Sequence, residues 1–174
     1  MALRMMSALP ARIIQVLIDY LPTELNLIDA EEADGITTGD IAAGNYYEWD
    51  RQTIPEYPAC SIRVVSSSPI EIQPDLFGRQ AYVRHRIDVM FHVTNKEGDA
   101  LRLQKLLFRY VTGAMRVLCV MYEGLQTALD PVRYVSLVTW TDRAVYGPDE
   151  EQDDGSIVRT ATLPLDVLTF EKRG

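Results

Sequence analysis

The chain has 174 residues, 47% of them apolar and 24% charged, with a formal net charge of −8. A chain of this size can bury about 70% of its unfolded surface, so no metal or disulfide staple is required. A pI near 4.7 opposes general DNA affinity. Cys60 and Cys119 lack C-x-x-C spacing and read as reduced small hydrophobes of a cytosolic protein. At the start, Pro10, Arg12, Gln15 and Asp19 interrupt the apolar run, which falls short of the about 18–20 residues that span a bilayer. Pro10 suits the first turn of a helix, Ile13, Ile14, Leu17, Ile18 and Leu21 follow at helical spacing, and Pro22 is expected to stop the run.

Residues 23–57 show no sustained periodicity and hold Gly35, Gly39, Gly44, Pro55 and many acids, with Tyr46, Tyr47 and Trp49 near the end. They read as an irregular acidic arm, with a short element around Leu25–Glu32. Ala59 to Ser66 is a predicted strand with Cys60, Ile62 and Val64 on one face. Ser66-Ser67-Ser68-Pro69 is expected to bend the chain, and Pro74-Asp75-Leu76-Phe77-Gly78 is turn chemistry. From Tyr82 to Thr94, Val83, His85, Ile87, Val89, Phe91 and Val93 alternate with polar residues, the period of a sheet with one dry side.

After the turn at Asn95–Gly98 the period becomes helical. Leu103, Leu106, Leu107, Tyr110, Val111, Ala114, Val117, Leu118 and Met121 fall within a stripe of about 140°, and Gly124 is a stop signal past Tyr122. Val132–Tyr146 and Ile157–Phe170 are further strand runs, separated by an acidic hairpin tip at 147–155; Pro164 argues for an edge or a bulge. The expected fold is a single α+β domain spanning 1–174. Its mostly antiparallel sheet is backed by a long amphipathic helix and a short N-terminal helix, in the order α-β-β-α-β-β.

No nucleotide-binding, zinc-protease or hydrolase signature is present in the sequence. His85 and His92 are seven residues apart on one strand, hence about 23 Å apart and on opposite faces. His85 reads as a hydrogen-bonded core histidine and His92 as a surface residue. Asp149, Glu150, Glu151, Asp153 and Asp154 lack EF-hand spacing and read as a solvated tip. The expectation is no catalytic residue, no metal and no cofactor.

The long helix carries more dry surface than one sheet covers. Leu101, Phe108, Met115 and Cys119 form a second apolar stripe, and Arg102, Lys105, Arg109 and Arg116 form a basic ridge beside it. Either the N-terminal helix packs on the second stripe, or a neighbouring subunit covers it and brings acids to the ridge. Charge is also divided along the chain: −7 over residues 1–60, +3 over 61–146 and −4 over 147–174. Complementary subunit surfaces would need such a division.

An N-terminal helix, an acidic segment ending in Tyr46-Tyr47-Glu48-Trp49-Asp50, the run Tyr57-Pro58-Ala59-Cys60-Ser61-Ile62, the 82–94 strand, a long amphipathic helix and a C-terminal hairpin together resemble the tail terminator (tail-completion, or neck) proteins of long-tailed bacteriophages. The resemblance spans about residues 5–170 by size and element order, without a diagnostic motif. It implies a non-enzymatic virion protein, assembled in the host cytoplasm. It further implies a homo-oligomeric ring, of six subunits, that caps the tail tube protein, ends polymerisation and meets the head-tail connector. DNA would pass through the lumen without sequence-specific binding, and no membrane is involved. Expected interface residues are the basic ridge, Leu101, Phe108, Met115, the anchors Tyr46, Tyr47 and Trp49, and the tip acids Asp149, Glu150 and Glu151. The alternatives are a head-side neck protein and, from another class, a small-molecule-binding or enzymatic α+β domain.

Overall fold

A helix of 31 residues, α1 (Ala2–Glu32), opens the computed structural model, which describes residues 2–49, 53–70, 80–95, 99–120, 135–140, 143–152 and 154–172. Pro22 does not stop this helix, contrary to the expectation of a short one; both Pro10 and Pro22 lie inside it. A proline removes one helical hydrogen bond, but Leu21, Leu25 and Ile28 are all buried beyond or beside it. Burial of that face outweighs the lost bond. The supposed arm at 23–57 is therefore helical for its first ten residues.

The strands are β1 (Tyr46–Glu48), β2 (Ala59–Ile70), β3 (Gln80–Asn95), β4 (Val135–Trp140), β5 (Val145–Tyr146), β6 (Glu150–Glu151) and β7 (Ile157–Lys172). They form one sheet in the order β1-β2-β3-β7-β4, with β5 and β6 also paired to β7. Every pairing is antiparallel except β1 with β2. The second helix, α2 (Ala100–Met115), follows β3 and continues as a π-helical turn over Arg116–Val120. Asp99 caps it by accepting the Arg102 backbone N–H at 3.0 Å. This is the expected α+β architecture; the expected stop at Gly124 lies outside the described residues.

Register explains the core. Phe91 stands between Cys60 and Ala161, Val89 between Ile62 and Leu163, and Ile87 between Val64 and Leu165. This face packs on Leu103, Leu107, Tyr110, Val111 and Ala114 of α2 and on Ile13, Val16, Leu17, Leu21 and Leu25 of α1. The Phe91 and Tyr110 rings stack, with centroids 5.7 Å apart. α1 and α2 meet at Gly113, where a Cβ would lie 2.9 Å from Leu21 Cδ1, so the missing side chain lets them approach closely.

Three further local expectations change. Ser66–Ser68 do not bend the chain away from the sheet; a register shift between Val64 and Ser66 absorbs the extra residue and β2 continues to Ile70. β7 is an interior strand, yet Pro164 fits there. It lies between Leu165, the partner of Trp140 in β4, and Thr162, the partner of Val145 in β5, where the neighbouring strand changes. His92 is 8% exposed, not on the surface. Its Nε2 meets Ser61 Oγ at 2.9 Å and its Nδ1 meets Thr160 Oγ1 at 3.0 Å, so hydroxyls on both adjacent strands satisfy and cover the ring. His85, buried as expected, repeats the arrangement with Ser67 at 2.8 Å and Thr169 at 2.9 Å.

Candidate subunit interface

The basic ridge of α2 turns inward to the chain's own acids. Arg109 is only 2% exposed, and its guanidinium bonds Asp29 at 2.7 Å, Asp34 at 2.5 Å and the Ile36 carbonyl at 2.5 Å. Lys105 reaches Asp34 at 3.0 Å, and Arg116 grips Glu31 with both terminal nitrogens, at 3.1 and 2.7 Å. Asp29 in turn accepts the Thr38 backbone N–H and hydroxyl, both at 2.6 Å. Tyr110 donates its hydroxyl to the Gly39 carbonyl. The segment after α1 is thereby clamped onto α2. Much of the charge division that suggested complementary subunits is answered within one chain.

These contacts act on ionisation. The Arg109 hydrogen bond, reinforced by the Ile36 N–H and Lys105, holds the Asp34 carboxyl well below its ordinary range. Burial pushes Asp29 up, but the bonds from Thr38 and Arg109 outweigh it and the net shift is downward. Burial alone lowers His85, which is neutral at physiological pH, and raises the Cys60 thiol, which is correspondingly inert as a nucleophile.

The second apolar stripe divides. Met115 packs partly buried against the core, whereas Leu101 and Phe108 are 64% and 55% exposed. Between them lies a cavity of about 260 Å³, lined by Gln104, Lys105 and Arg109 and closed on the α1 side by Glu32 and Asp34. Arg102 and Lys105 are the ridge residues that stay exposed, and Lys105 still reaches Asp34 from there. Among the aromatic anchors, Tyr46 and Tyr47 are both buried in their own subunit; Tyr46 joins the core shared with α1, while Tyr47 is covered on the opposite face of β1. They are not surface anchors. Trp49 is 58% exposed.

At the tip, Asp149 pairs with Arg159 of its own chain, whose Nη2 donates at 3.0 Å. Glu150 and Glu151 are exposed on β6. Asp154 accepts the Ser156 N–H at 3.0 Å, which tightens the hairpin turn. A second cavity, about 580 Å³, opens between Ile54–Tyr57 and the tip residues Gln152, Asp154 and Ser156. Among the described residues no three His, Cys, Asp or Glu side chains gather as a metal site, and no helix is long and apolar enough to cross a membrane.

No protein-family model and no curated protein matches this chain. The candidate interface therefore rests on surface chemistry alone. Sequence periodicity located Leu101, Phe108 and Arg102, which remain open. Glu32 and Asp34 escaped it because they reach the cavity only through the packing of α1 on α2. Val65, exposed at the β2 register shift, and Val145 and Tyr146, exposed on β5, also carried no periodic signal.

Proposed function

We propose that this chain is a structural subunit of a long-tailed bacteriophage tail, a terminator that forms a ring on the end of the tail tube. The observation that carries the reading is the open apolar ledge of α2. The buried stripe of that helix serves the sheet and most of its basic ridge serves α1, yet Leu101 and Phe108 still face solvent on the remaining side. A pair of large apolar side chains on a rigid helix suits a protein partner. The opposite face of the sheet has another character, with Arg63 paired to Asp88 at 2.9 Å and Arg84 to Asp166 at 3.8 Å. Two unlike faces are what a ring needs if it is to meet a tube on one side and a connector on the other.

The ring ends tube growth by covering the last layer of tube subunits and offering a surface that further tube protein does not fit. Its work is binding and closure, and DNA passes through the opening. Size-exclusion chromatography with light scattering, followed by negative-stain imaging alone and with tail-tube protein, tests this. Rings, or caps on tube ends, are expected. A chain that remains a monomer of 19.7 kDa in both settings overturns the reading. Capture by portal-proximal rings and not by tube ends would assign the subunit to the head side of the neck instead.

A further inference from the structure

We propose that the ring contact is a knob and a hole: Trp49 of one copy enters the cavity between Leu101 and Phe108 of the next. This rests on the ring reading and names the contact that would build it.

Trp49 is large, exposed and held in an unusual backbone conformation. Its φ is +87°, a region that bulky residues rarely adopt. Its N–H donates to the Ile62 carbonyl at 2.8 Å, which ties that backbone to β2. Such strain is found where a side chain must be presented in one direction. With the backbone already held, only the two χ angles of the indole remain to be ordered on binding, a low cost for so large a contact surface.

The hole is of matching size and chemistry. Its volume, about 260 Å³, suits one large aromatic side chain, and Leu101 and Phe108 supply apolar walls. The Glu32 carboxylate on its lining can accept an indole N–H, the one polar group a tryptophan must satisfy. Charge agrees as well. Exposed Glu48 precedes the knob, and exposed Arg102 adjoins Leu101 at the hole.

The two patches lie on different parts of the subunit. Trp49 follows β1, the edge strand, while the cavity is on the helix layer between α2 and the end of α1. A contact between unlike patches is heterologous, so each subunit keeps one knob and one hole for two neighbours. Repetition of such a contact gives a ring when the rotation per subunit closes, as the ring reading requires, and an open filament when it does not.

The test uses W49A, which has no knob, and F108D, whose hole is spoiled. Both positions are exposed, and circular dichroism checks that each variant folds. Each alone should weaken assembly by about 30-fold or more, as loss of a hot spot does. Mixed in equal amounts, they retain one competent contact, the Trp49 of F108D with the hole of W49A. The mixture should therefore stop at a 1:1 heterodimer, twice the 19.7 kDa subunit mass. As a second arm, E48R and R102E should each weaken assembly, and the double variant should restore it.

Wild-type rings that are unaffected by W49A and F108D, or a mixture that gives no heterodimer, overturn the knob-and-hole contact and leave the ring reading standing. A wild-type chain that stays monomeric, alone and with tail-tube protein, overturns both.

Discussion

Arg109 Nη1 donates to Asp29 Oδ1 at 2.7 Å across eighty positions of sequence, and this bond joins α2 to the last turn of α1. The same guanidinium holds Asp34 and the Ile36 carbonyl. It is at once a helix–helix tie and the anchor of the segment leading to β1. A buried cation is stable only if its donors are matched, and here two carboxylates and a carbonyl match them.

Replacing Arg109 by Met should therefore destabilise the fold by about 3 kcal/mol or more, because the Ile36 carbonyl, Asp29 and Asp34 lose the one cation that joins them, although Thr38 and Lys105 still bond the two acids. Arg102→Ala, on the exposed side of the same ridge, should change stability by less than about 0.5 kcal/mol. Urea denaturation midpoints at neutral pH measure both. Equal effects would show that Arg109 is no more embedded than its neighbour. Charge reversal at Arg109 is accordingly a test of folding, not of assembly.

Ala33 takes φ +47° where α1 ends, with its N–H bonded to the Asp29 carbonyl at 3.1 Å. The left-handed region costs a residue with a Cβ about 1 kcal/mol, and glycine avoids that cost. Ala33→Gly should raise stability by about 0.5–1 kcal/mol, seen as a higher thermal midpoint. A lower midpoint would contradict the cap geometry.

At Gly113 the expectation is opposite. Any Cβ meets Leu21 Cδ1 at 2.9 Å and Leu25 Cδ2 at 3.3 Å, both in the packed core. Gly113→Val should cost about 2 kcal/mol by forcing α1 from α2, despite valine's better helix propensity. Denaturant unfolding reads the loss directly. A neutral result would mean that the two leucines repack without strain.

Acid should act in two windows. The His85 pKa is lowered by burial, so the unfolded chain takes up the proton more readily. The contribution is fully present above about pH 6.5 and falls as pH drops below it. Asp29 and Asp34 are also lowered, so their stabilising bonds hold above about pH 4 and are lost as pH falls through the folded values. Unfolding free energy measured from pH 8 to 3 should decline in both windows. His85→Gln should flatten the upper decline and leave the lower one; an unchanged upper slope would remove His85 as its source.

Much of the fold was legible because local period reports local burial. The alternation from Val83 to Val93 and the stripe from Leu103 to Leu118 specify a strand face and a helix face, and each covers the other. The clamp was not legible. Asp29, Asp34 and Arg109 look, one by one, like solvated charges, and their meeting depends on α1 running past Pro22 to Glu32. The same extension reassigns the first ten residues of the acidic arm to α1.

The sequence by itself determined the α+β class, the elements flanking the central strand and the surplus of apolar surface on α2, since each follows from spacings of a few residues. Only the tertiary structure decided how that surplus is divided. Met115 is covered, Leu101 and Phe108 are open, and the basic ridge is mostly spent on α1. The physical reason is that residues some seventy to eighty-five positions apart decide it, and no local periodicity carries information over that distance.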